Sequence, residues 1–180
     1  MTRKLRALWA LHVTAGLTEN DLLALLGHGD EYLRSWAVYL LVDGKNPSEA
    51  ALREFARMAR QDPSPLVRLY LASALQRVSA DKRWEVLAGL LANADDAADQ
   101  NLPLMIWYAA EPVVPLDMAR ALGAALDSKL PRLFPFTVQR IAGVGTQDAL
   151  RVLTDRLGRT ENAARQQELL SGISAIVNKK

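Results

Sequence analysis

Apolar positions along this chain recur with the period of an α-helix almost from end to end. Val67, Leu71, Ala74, Leu75 and Val78 fall at i, i+4, i+7, i+8 and i+11, a single stripe on a 3.6-residue helix. Leu22, Leu23, Leu25 and Leu26 form a second stripe, and no stretch alternates in the manner of a strand. The pattern predicts eleven helices, near 3–14, 18–27, 30–42, 47–61, 64–78, 81–93, 101–111, 115–127, 131–142, 146–158 and 161–177. Thr18, Asp30, Ser64 and Thr146 are placed to cap helix N-termini, as is Ser48 if its helix starts a residue later. Pro65, Pro103 and Pro131 suit a first helical turn, whereas Pro135 should kink the ninth helix. Gly16, Gly27, Gly29 and Gly44 fall at helix ends, where left-handed backbone is expected. The acidic, small-residue stretch 93–100 reads as the longest and most mobile connection, with Asp95, Asp96 and Asp99 solvated.

The helices repeat. Asp30-Glu-Tyr-Leu-Arg34-Ser-Trp36 is echoed by Asp62-Pro-Ser-Pro65-Leu-Val-Arg68-Leu-Tyr70, with weaker echoes beginning at Pro103 and Pro131. Aligning the prolines places Trp36, Tyr70, Tyr108 and Phe136 in one column, with a period that drifts from unit to unit. Recurrence on this scale marks stacked helical hairpins, because one hairpin is too small to bury its own apolar face. The expected fold is therefore all-α, an α-α superhelix of about five helical hairpins forming one repeat domain over residues 1–180.

Two columns of the repeat carry candidate roles. Arg6, Arg34 and Arg68 follow a hydrophobic residue, with Asp30 and Asp62 in the preceding turns. An arginine fork bonds bidentately to a carboxylate or caps carbonyls of a neighbouring repeat, so these five residues read as a structural ladder. The aromatic column lies at the edge of its apolar stripe. It either seals the joints between repeats or offers Trp36, Tyr70, Tyr108 and Phe136 as anchors for a protein partner.

Composition narrows the chemistry. With no cysteine in 180 residues, disulfides, thiolate zinc sites, cysteine nucleophiles and c-type haem attachment are excluded within the chain. The two histidines, His12 and His28, form no metal-binding spacing and read as ordinary surface or turn residues. No calcium loop, nucleotide-binding glycine motif or nucleophile elbow is present, so neither cofactor nor metal is expected and the chain reads as non-catalytic. The net charge of +2 is uneven. Positions 129–180 hold nine basic side chains against four acidic ones, leaving positions 1–128 at −3. That basic end motivates an alternative reading as a nucleic-acid-binding protein with a groove like that of HEAT-like DNA glycosylases. No apolar run is long enough to span a membrane, and no signal peptide is expected.

The hydrophobic-Arg helix starts resemble HEAT repeats. Three strings carry a closer resemblance: Leu5-Arg-Ala-Leu-Trp-Ala-Leu-His-Val-Thr14, Val67-Arg-Leu-Tyr-Leu-Ala-Ser-Ala-Leu-Gln-Arg77, and Asn101-Leu-Pro-Leu-Met-Ile-Trp-Tyr108 followed by Glu111-Pro112. They resemble the HEAT-repeat region of large bacterial membrane-bound dehydrogenase proteins, over about residues 3–142. In that family the repeats sit between a sugar-dehydrogenase-like β-propeller and a C-terminal c-type cytochrome domain. The resemblance implies a scaffold that links or docks domains of a larger protein. Redox activity does not carry over, since this chain holds neither neighbour. The family context implies export to the envelope or periplasm, whereas a full-length chain of this kind would be cytoplasmic.

Overall fold

The structure, a computed structural model, describes residues 2–44 and 47–178. Among the described residues the regular elements are eleven α-helices and three 3-10 helices, with no strand. The α-helices are α1 (Thr2–Val13), α2 (Glu19–Leu25), α3 (Glu31–Leu41), α4 (Glu49–Gln61), α5 (Pro65–Leu75), α6 (Trp84–Leu91), α7 (Leu102–Ala110), α8 (Met118–Asp127), α9 (Leu133–Val144), α10 (Gln147–Leu157) and α11 (Ala163–Val177). The 3-10 helices are Ala80–Lys82, Ala94–Ala98 and Glu111–Leu116. The chain is all-α.

Short polar side chains set the helix starts by accepting backbone N–H bonds that have no intrahelical partner. Thr18 accepts from Asp21 N while the Asp21 carboxylate accepts from Thr18 N, a reciprocal capping box. Asp30, Ser64 and Thr146 cap α3, α5 and α10, and Ser48 caps α4 because that helix starts at Glu49. Asp117 and Asn162 perform the same service for α8 and α11. Two expectations about the backbone fail. The ninth helix starts at Leu133, so Pro135 stands in its first turn, where a missing N–H costs nothing, and no kink is required. Left-handed backbone occurs at Gly145, which ends α9 with φ 71°, and at Ala15, with φ 55°, rather than at Gly16, Gly27, Gly29 or Gly44.

The helices pack in two rows. Helices α1, α3, α5, α7, α9 and α11 each touch the next in one row, and α4, α6, α8 and α10 do so in the other. The pairs α2–α3, α4–α5, α6–α7, α8–α9 and α10–α11 join the rows. Between them lies a core of Leu, Ala and Val around Phe55, Met58, Leu71, Leu87 and Ile106, all at most 1 % exposed. Two glycines let neighbouring helices within a row approach closely. A Cβ on Gly89 would stand 2.7 Å from Ala59 Cβ and 3.0 Å from its carbonyl carbon, so α6 lies directly on α4. Asn93 fastens that contact by donating to the carbonyls of Ala59 (2.9 Å) and Gly89 (3.0 Å). A Cβ on Gly172 would meet Val138 Cγ1 at 2.6 Å, so α11 lies as closely on α9. No helix among the described residues is long and apolar enough to cross a membrane.

Candidate functional site

The ladder has two rungs built on one register. Arg34 donates from Nε and Nη2 to the two Asp62 oxygens at 2.7 and 2.8 Å, and from Nη1 to the carbonyl of His28 at 2.9 Å. In the next unit Arg68 grips both oxygens of Asp96, Nε at 2.6 Å, and donates from Nη1 to the carbonyl of Asp62 at 2.8 Å. The sequence separation between arginine and acid is the same in both rungs. Asp62 thus serves two units, through its carboxylate for one arginine and its backbone carbonyl for the next. Both pairs are withdrawn from water, with side chains 11 % and 6 % exposed in the first and 6 % and 1 % in the second. The bidentate bonds hold both guanidinium groups above their ordinary pKa against the opposing pull of burial.

Two members of the expected ladder take other roles, and one unexpected acid joins it. Asp96 is a buried ladder carboxylate rather than a solvated loop acid, and the 3-10 turn Ala94–Ala98 carries it inward. Asp30 is the N-cap of α3, accepting from Tyr32 N at 3.0 Å, and its equivalent in the next unit is the cap Ser64. Arg6 is exposed and makes no ion pair among the described residues, because the position in its register where Arg34 and Arg68 find an acid is occupied by Arg34 itself. Asp99, also assigned to solvent, accepts from Asn101 N and Leu102 N at 2.8 Å each, which pulls its carboxyl below the ordinary range, the Leu102 bond weighing most. Buried Arg83 has carbonyl partners instead, donating to Val78 and Ala109 at 2.9 Å, and desolvation lowers its pKa.

Across α3, α5 and α7 the aromatic column opens onto solvent. Trp36, Tyr70 and Tyr108 line one groove of about 600 Å³, joined by Tyr39, Met105 and Asn101. Trp36 holds the near end: its ring centroid lies 4.7 Å from Trp9, 5.4 Å from Tyr39 and 6.3 Å from Tyr70, at tilted or edge-on angles. Trp36 and Tyr70 are half-buried in this stack, whereas Tyr108 is 55 % exposed. Phe136 does not share the groove; its ring rests 5.4 Å from Trp107. Tyr39 went unassigned in the sequence although it stands one helical turn after Trp36, on the same face.

A polar rim borders Tyr39. The Arg77 guanidinium lies 4.9 Å over the Tyr39 ring and donates to Asp43 at 3.1 Å, and His12 Nε2 lies 3.3 Å from the other Asp43 oxygen. The His12 bond first, then Arg77, holds the Asp43 carboxyl below its ordinary range. His28 makes a different contact, accepting from Asp30 N at Nδ1 (2.9 Å). Among the described residues no three His, Asp or Glu side chains gather into a metal-holding group.

The basic C-terminal residues are spread among separate partners. Arg140 pairs with Glu111, Arg151 with Asp148 at 3.0 Å, and Arg165 donates to the Leu126 carbonyl at 3.1 Å. Lys179 and Lys180 lie outside the described residues.

Comparison with protein-family models, with curated proteins and with solved structures returned no match.

Proposed function

We propose that this chain is a non-catalytic helical-repeat module of the HEAT-like superhelix type, whose aromatic groove receives a protein segment. The groove carries the reading: aromatic side chains from three successive helices of one row face solvent together, and an apolar surface of this kind is a common anchor for partners. The two rows of helices and the matched registers of the ladder support the repeat reading, because each arginine fixes one unit on the next. The resemblance to the dehydrogenase-associated repeats supports a partner that is a neighbouring domain of a larger bacterial protein.

Stability and binding separate cleanly across this groove. Trp36→Ala removes a half-buried ring with three aromatic neighbours and should lower the melting temperature markedly. Tyr108→Ala removes an exposed ring and should leave melting unchanged while weakening retention of the partner. If Tyr108→Ala, together with Tyr39→Ala, retains the partner as the parent chain does, the groove is not the docking surface.

A further inference from the structure

A second site lies between the two rows. Between α6, α8 and α9 is a cavity of about 80 Å³ walled by Leu87, Val114, Ala121, Ala124 and Leu133. Thr137 reaches it, but its hydroxyl is committed to the Leu133 carbonyl at 2.8 Å. The walls therefore offer a ligand almost no hydrogen-bonding partner, and such a space stays dry and admits apolar atoms. Alanines on α8, at positions 121, 124 and 125, keep it open where leucines would fill it.

Its mouth is charged. Trp84 and Arg120 line both the cavity and a surface groove whose other charged side chains are of both signs, Arg53, Arg60 and Lys82 with Glu49, Asp81 and Glu85, so this pair forms the partition between them. The Arg120 guanidinium lies 4.3 Å over the Trp84 ring, a cation–π contact that holds it against the indole. Its nearest carboxylate, Glu85, is 3.9 Å away, beyond hydrogen-bond distance, and is drawn aside by Arg60 at 3.2 Å. Arg120 thus lines the apolar cavity with Glu85 as a distant ion-pair partner and, among the described residues, no carboxylate hydrogen-bonded to its guanidinium.

The geometry points to a binding site for a short-chain aliphatic carboxylate, the chain in the cavity and the carboxylate on the Arg120 fork. Size sets the chain: the space is smaller than the ~150 Å³ cavity known to take up benzene, so a short unbranched chain enters and a ring does not. Charge sets the head group, since the guanidinium matches a carboxylate bidentately. The site shares no lining residue with the aromatic groove.

Butyrate, 1-butanol and benzoate titrated into protein with labelled Leu and Val methyl groups, followed by NMR, test this. Butyrate should shift the methyls of Leu87, Val114 and Leu133 saturably, and benzoate should not. Butanol should bind about tenfold more weakly or worse, as loss of one charged hydrogen bond requires. Arg120→Gln, at a side chain 51 % exposed, should fold normally and reduce butyrate binding to the level of butanol. Absence of a saturable butyrate shift overturns the site. Equal binding of butanol, or of butyrate by Arg120→Gln, overturns the role of the fork.

Discussion

The Arg68–Asp96 pair allows the sharpest test of how the repeats are held together. Its side chains are 6 % and 1 % exposed, and each arginine bond that Asp96 accepts is lost in Asp96→Ala. Arg68 would then be left buried with the Asp62 carbonyl as its remaining partner. Removing one member of a buried ion pair costs about 3–5 kcal/mol, because the surviving charge is uncompensated. For a chain of this size each kcal/mol lowers the melting temperature by roughly 2–4 °C, so a fall of roughly 6–20 °C is expected. Arg68→Met should cost a similar amount by stranding Asp96. The double substitution Arg68→Met, Asp96→Leu removes both charges and should recover to within about 1 kcal/mol of the parent. The exposed Arg57–Glu54 pair is the internal control, with side chains 49 % and 32 % exposed; Glu54→Ala should cost at most ~0.5 kcal/mol. Urea unfolding of the five proteins supplies the comparison. Should Asp96→Ala cost no more than Glu54→Ala, the inter-repeat ladder is not what joins these units.

Three further outcomes follow from local geometry. Gly172→Ala drives a methyl into Val138 and should cost about 1–3 kcal/mol, with Gly143→Ala, whose Cβ meets nothing within 4 Å, as the tolerated comparison in the same melts. Asp99 is held below its ordinary pKa by bonds that exist only in the folded chain. Its contribution is therefore present above the unfolded value of about 3.9 and disappears as pH falls through the lower folded value. The stability gap between the parent and Asp99→Asn should accordingly be wider at pH 6 than at the acid end of the titration, and a gap constant with pH would contradict it. Ala15→Gly relieves a left-handed alanine at φ 55° and should raise the melting temperature slightly despite glycine's looser unfolded chain; a clear fall would refute that.

The helices were legible because their period and punctuation agree: apolar stripes repeat at the helical period, and Thr18, Asp30, Ser48, Ser64 and Thr146 sit where caps belong. Arg34 and Arg68 were visible as a repeated pair for the same reason. Asp96 was not, because an Asp among alanines in a short linker has the composition of a solvated loop. Only its register, which follows Arg68 as Asp62 follows Arg34, marks it as a ladder acid. Asp30 was read both as a cap and as a ladder acid, and only the cap is realised: an acid in the turn before a repeat helix suits either role, and backbone geometry decides between them. The groove was half legible. The proline alignment placed Trp36, Tyr70 and Tyr108 together, but Phe136 left the column because α9 starts two positions later than Pro131 suggests. The apolar cavity had no sequence signal, since a void under Trp84 and Arg120 depends on how three helices diverge.

The most direct measurement for the groove as a partner surface is photo-crosslinking in cells of the source organism. A photoreactive residue would replace Tyr108, and in a control chain the solvent-facing Arg151 on α10. The expected result is a discrete adduct, or an internal crosslink to a neighbouring domain, from position 108 and none from position 151. No adduct from 108, or the same adducts from both positions, would contradict the assignment of the aromatic groove as the interaction surface.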